Sequence, residues 1–197
     1  MRKAFTLLEL IIAAAILGGV MTTISMSLRN AGRTAAAIEV RGDLNTQAWS
    51  AVRTIADGVR NGQVTSVNTT NGALIYKPIT DLSGSTVTFG ANSTTVTTVS
   101  VTEGGRTYKR LQTTTGAISL PMAQEIATNF VPIDNIILPN YGLTAANYPG
   151  FLIAQVGNVV IIGVTLEQQD PGGAQNADGT PSKYRASAMT QVMLRNF

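Results

Sequence analysis

The sequence predicts an α+β fold: a long N-terminal helix, its first half spanning a membrane, packed through its second half on an antiparallel β-sheet. Three observations predict it. The 197-residue chain opens on a long apolar run that carries a single carboxylate. Apolar residues then recur at spacings of three and four as far as residue 59. Beyond residue 62 the chain turns to β-branched, alternating stretches separated by Gly, Asn and Ser.

The first element is "RKAFTLLELIIAAAILGGV". From Phe5 to Ile24 the one charged residue is Glu9, and at 1.5 Å per residue this stretch covers roughly 30 Å, the thickness of a bilayer core. Arg2 and Lys3 before it favour a cytoplasmic N-terminus, with the rest of the chain outside. A secretory signal peptide would share the basic start and would be cut at a small-x-small site such as Ala35 to Ala37. The apolar run is too long for that, and a secretory core gains nothing from Glu9. A carboxylate at the centre of a membrane helix is disfavoured by roughly 2.5–3.5 kcal/mol, less near an end, and such a residue calls for a partner or a function.

The second element continues the helix. Leu44, Ala48, Val52, Ile55 and Val59 fall on one face, interspersed with Arg41, Arg53 and Arg60, as in an amphipathic helix packing on a sheet. Trp49 and Ala56 extend that face at its edge, and Gly62 after Asn61 supplies a stop.

Strands are expected at 74–79, 86–89, 95–101, 107–112 and 117–120. The Thr-rich alternation "TTVTTVSV" suits a hairpin with one wet face. The stretch holding Pro121, Pro132, Pro139 and Pro149 reads as a long connection with a short helix at 123–128. Strands at 151–156 and 158–167 form a hairpin through Gly157-Asn158, a strong two-residue turn signal. A last strand at 184–195 follows the polar loop 168–182.

Composition argues against catalysis. With no His and no Cys, imidazole or thiolate metal ligation and the usual nucleophile and base arrangements are lacking. The chain is therefore expected to be no enzyme and to carry no cofactor or metal. Asp170 and Asp178 flank "PGGAQNA", but without the spacing of an oxygen-ligand calcium loop, and a solvated loop is preferred. Arg106, Lys109 and Arg110 form the one concentrated basic cluster; phosphate contacts are conceivable there, but a solvated strand face is preferred. The sequons Asn68-Thr69-Thr70 and Asn92-Ser93-Thr94 are assigned no function.

The stretch Lys3-Ala4-Phe5-Thr6-Leu7-Leu8-Glu9 resembles the processing site of type IV prepilins and type II secretion pseudopilins. In that family a short basic leader is removed on the cytoplasmic side immediately before a Phe or Met, and the new N-terminus is methylated. The resemblance implies a cut between Ala4 and Phe5, N-methylation of Phe5, and Glu9 as the fifth residue of the mature chain, where the family carries its glutamate. It also implies partners: a prepilin peptidase and methylase, and other pilin or pseudopilin subunits met through their N-terminal helices. Glu9 of one subunit would then neutralise the Phe5 α-amino group of a neighbour, a buried pair that specifies register more than it adds stability. The match departs from the usual pattern in having Ala4 where Gly is common, and in lacking a Pro within the apolar run.

Further on, "QAWSAVRTIADGVRNG" and "VVIIGVTLEQQD" followed by "YRASAMTQVMLRN" are similar to PilW-type minor pilins and J-type minor pseudopilins. The implied organisation is a leader at 1–4, a membrane and filament-core helix at 5–27, an amphipathic helix at 28–61 and a β-rich exported domain at 62–197, together a pilin-like fold. Loss of Arg2 and Lys3 takes the 14 basic side chains to 12 against 11 acidic ones, a weak electrostatic case for a nucleic-acid partner. The expected function is a minor type IV pilin that primes or takes part in pilus assembly for twitching, adhesion or DNA uptake. A minor pseudopilin of a type II secretion system is the alternative, and a membrane-anchored periplasmic binding domain a remote one. The expected location is the inner membrane, by a single pass with the C-terminal domain outside the cytoplasm, and then a pilus or pseudopilus.

Overall fold

A computed structural model describes residues 6–70, 72–83, 86–113, 125–127, 150–170 and 173–194. Among these residues one helix, α1 (Leu7–Arg60), is followed by nine strands: β1 (Gly62–Asn68), β2 (Ala73–Ser83), β3 (Thr86–Phe89), β4 (Thr94–Glu103), β5 (Arg106–Thr113), β6 (Glu125–Ile126), β7 (Phe151–Val156), β8 (Val159–Gln169) and β9 (Lys183–Met193). The strands join in one antiparallel sheet of order β1-β2-β4-β5-β6-β8-β7, with β3 paired to β2 and β9 to β8. The chain is thus α+β, a long N-terminal helix packed on a large antiparallel sheet, as expected.

The chain divides into two compact units, 1–39 and 40–197. In the first, every described residue up to Ala35 is exposed, including Leu7, Leu10, Ile16 and Met26. An apolar helix left bare in this way is long and apolar enough to span a membrane, with a mean hydropathy of 2.2 in its most apolar window.

In the second unit the predicted helix face is the core. Leu44, Ala48, Val52, Ile55 and Val59 are buried with Ala51 and Ala56, against Leu74, Tyr76, Val96, Leu111, Ile153, Ile162 and Val192 of the sheet. Trp49 is not part of this face. It stands 47% exposed, because one further helical step of about 100° carries it from Ala48 toward solvent.

The β8–β9 ladder runs unbroken from Val159↔Met193 to Gln169↔Lys183, and β7 turns into β8 through Gly157, whose positive φ of 58° suits the predicted hairpin. Three expectations need correction. The stop at Gly62 is also the first residue of β1, a strand not anticipated because "GQVTSVN" carries only two apolar residues. The strand expected at 74–79 continues to Ser83. Pro78 lies where β2 passes from β1 to β3, and its carbonyl accepts the Gly90 N–H at 2.8 Å, so its missing N–H does not end the strand. The described part of the helix expected at 123–128 is β6, bridging β5 at Lys109↔Ile126 and β8 at Glu125↔Glu167. Helix-forming residues are overridden there by the burial of Ile126 in the core. The strand expected at 117–120 and the four prolines of the long connection lie outside the described residues.

Candidate functional site

At the start of α1, Thr6 and Glu9 build a capping box. The Thr6 N–H donates to Glu9 Oε2 at 2.9 Å, the Thr6 hydroxyl meets the same oxygen at 3.1 Å, and the Glu9 N–H donates to Thr6 Oγ1 at 3.3 Å. Two of the N–H groups that a helix start leaves unpaired are satisfied in this way. The sequence "TLLE" has the spacing such a box needs, so the local signal for this role of Glu9 lies in the chain itself. Both Thr6 donors go to Oε2, and among the described residues no donor reaches Oε1. Ala4 and Phe5, the expected cut and methylation site, lie outside the described residues.

Along the same helix, Gly18 and Gly19 have open space where a side chain would stand. The hydroxyls of Thr22 and Thr23 turn back onto the Gly18 and Gly19 carbonyls at 2.8 and 2.9 Å. These threonines therefore present methyl groups outward and satisfy their own polar atoms, as a helix in an apolar medium requires.

In the second unit, strand alternation separates the basic cluster. Lys109 shares its face with Ile126, whereas Arg106, Tyr108 and Arg110 point to the other. Arg110 stacks over the Tyr108 ring at 4.8 Å and meets Glu103 at 3.2 Å. Tyr108 donates to Glu103, and that bond raises the phenol above its ordinary pKa. Arg106 pairs with Glu125 at 2.6 Å. The two arginines are thus held in ion pairs, while Lys109 stands exposed on the opposite face, so the three do not form one basic patch.

The ion pairs continue into the sheet. Glu167, 2% exposed, is held by Lys183 and, at 3.0 Å, by Arg185 Nε, while Lys183 also approaches Glu125 at 3.5 Å. Removal from water makes a lone carboxylate costly, and the two cations offset that cost. These pairs tie β6, β8 and β9 together at the point where β6 has only two residues to hold it.

Among the described residues no group of His, Cys, Asp or Glu side chains is arranged to hold a metal ion. Asp178 instead accepts the Thr180 hydroxyl at 2.6 Å and the Thr180 N–H at 2.9 Å, which keep its carboxyl below the usual pKa. Asn68 and Asn92 are exposed, while Thr94 of the second sequon is buried in β4. A groove of about 730 Å³ runs beside α1, lined by Trp49, Arg53, Asp57, Arg60 and Thr190 among others; Asp57 and Arg60 pair there at 2.9 Å.

Comparison with protein-family models, with curated proteins and with solved structures finds no match in any of the three.

Proposed function

We propose that this chain is a minor type IV pilin: a subunit held in the inner membrane by its N-terminal helix and then incorporated through that helix into a filament. The observation that carries the reading is Glu9, alone among the exposed apolar side chains of a helix start that no described residue covers. Lipid covers such a surface in the membrane, and like helices cover it in a filament. Polymerisation exchanges one for the other, and the exchange favours close packing at Gly18 and Gly19.

Charge matching supplies the register. After removal of residues 1–4 the Phe5 α-amino group is a cation among apolar helices. A neighbour's Glu9 receives it on Oε1 while Oε2 stays in its own capping box. Each charge then offsets the burial of the other only when the subunits are correctly staggered.

N-terminal sequencing of the mature protein tests the proposal. A chain beginning at Phe5 with a methylated amine is expected, with Ala4→Gly processed at least as well and Ala4→Glu poorly. A mature protein that begins at Met1, or near Ala37, defeats the reading. A minor pseudopilin would use the same chemistry, and is favoured if its neighbours in the genome are secretion rather than pilus genes.

A further inference from the structure

The apolar run from Leu7 to Leu28 is about 33 Å long, slightly more than a hydrocarbon core of about 30 Å. Immediately beyond it stand Arg29 and Arg33. Both are exposed, they lie one helical turn apart on the same side of α1, and neither has a hydrogen-bond or ion-pair partner among the described residues. The first acidic residue after them is Glu39. On the orientation set by Arg2 and Lys3, these two arginines must cross the membrane, which opposes the ordinary distribution of cations. Their placement therefore calls for a compensating partner.

We infer that Arg29 and Arg33 clamp the phosphate groups of phospholipids in the outer leaflet, and so fix the depth of the subunit before it is drawn into a filament. The inference rests on the membrane-anchored reading above. Depth identifies the partner: the headgroup layer extends about 5–8 Å beyond the hydrocarbon on each side. With Leu28 set at the outer edge of the hydrocarbon, the Arg29 backbone enters that layer by about 1.5 Å and the Arg33 backbone by about 7.5 Å. A guanidinium presents a planar fork that matches a phosphate with two parallel bonds, which an ammonium does not. Two such groups a turn apart resist both sinking and tilting of the helix toward the side that carries them.

The test uses the full-length chain in vesicles of phosphatidylethanolamine and phosphatidylglycerol. The chain has no Cys, so a nitroxide on Ser27→Cys is the single label and its depth is read by collision with oxygen and with a water-soluble nickel complex. The label should lie at the headgroup boundary with both arginines present and move measurably toward the hydrocarbon in R29Q/R33Q, with R29K/R33K in between. In vesicles of neutral galactolipid, which offer no phosphate, the arginine and glutamine forms should coincide, and added inorganic phosphate should not restore the difference. Equal depths in the phospholipid vesicles, or the same difference in galactolipid, overturn the inference while leaving the anchor intact. A label as accessible to nickel as in free solution shows that the helix is not inserted, and overturns both readings. A difference that appears only when other membrane proteins are present assigns the arginines to a protein partner and overturns the lipid clamp.

Discussion

Gly150 stands against Ala127 so closely that a Cβ added to it would come within 2.0 Å of the Ala127 carbonyl oxygen. Both residues are bound to Thr165, whose carbonyl accepts the Ala127 N–H at 2.9 Å and whose N–H donates to the Gly150 carbonyl at 2.7 Å. β6 and β7 thus follow one another along the same side of β8, and the chain returns at Gly150 to the place it left at Ala127.

Gly150→Ala should therefore be severe. Backbone would have to move on one side of β8, at a cost of about 3 kcal/mol or more. Gly157→Ala meets nothing within 4 Å but must hold a φ of 58°, a cost of about 1–2 kcal/mol. Denaturant midpoints of the two variants check the order: Gly150→Ala should unfold at the lower denaturant concentration, and the reverse order would defeat the prediction.

Removal of residues 1–28 should leave a soluble, monomeric, folded domain. The buried residues of α1 begin at Leu44 and all the sheet contacts of the core lie in the unit from Val40 onward, so the loss takes away exposed apolar surface and no core. Sedimentation and circular dichroism measure this; aggregation with an unfolded spectrum would show that the core needs the first unit.

Tyr76 sets a limit on alkaline stability. Its ring is buried, its hydroxyl has no partner in hydrogen-bond geometry among the described residues, and burial pushes its pKa up to about 12, with Thr94 offsetting part of the rise. A raised folded-state pKa means that the associated stability is complete below pH 10 and is lost as pH climbs toward 12, since the unfolded chain ionises first. Tyr76→Phe should change stability at pH 7 by no more than about 1 kcal/mol and should flatten the decline between pH 10 and 12. An unchanged decline would place its cause elsewhere.

Glu9 combines a cap and a charge, and two substitutions separate them. Glu9→Gln keeps the capping box and removes the charge, whereas Thr6→Val removes the hydroxyl half of the box and keeps the charge. If assembly depends on the charge, Glu9→Gln should lower co-purification with partner subunits several-fold at equal membrane levels, Glu9→Lys should lower it further, and Thr6→Val should cost only about 1 kcal/mol of helix stability. Normal incorporation of Glu9→Lys would end the charge-pair account.

What could be read along the chain was local. The spacing of Leu44, Ala48, Val52, Ile55 and Val59 determined which helix face is buried, Gly157-Asn158 determined the β7–β8 hairpin, and the apolar run determined that part of α1 is long and apolar enough to span a membrane. Each depends on periodicity or on the conformational preference of one or two residues, which the chain carries wherever it lies.

Only the tertiary structure decided the rest. Glu125 and Ile126 form a strand because β5 and β8 offer open ladders on both sides and the core takes Ile126, a context that outweighs local helix propensity. Arg106 and Arg110 were adjacent enough to read as a basic patch, yet the neighbouring strands bring Glu125 to Arg106 and Glu103 to Arg110 and turn them into ion pairs. Glu167 is buried because Lys183 and Arg185, on the neighbouring strand, register against it. Pairings of this kind join residues far apart in sequence through backbone hydrogen bonds that are identical for every residue type, so no single stretch of the chain can specify them.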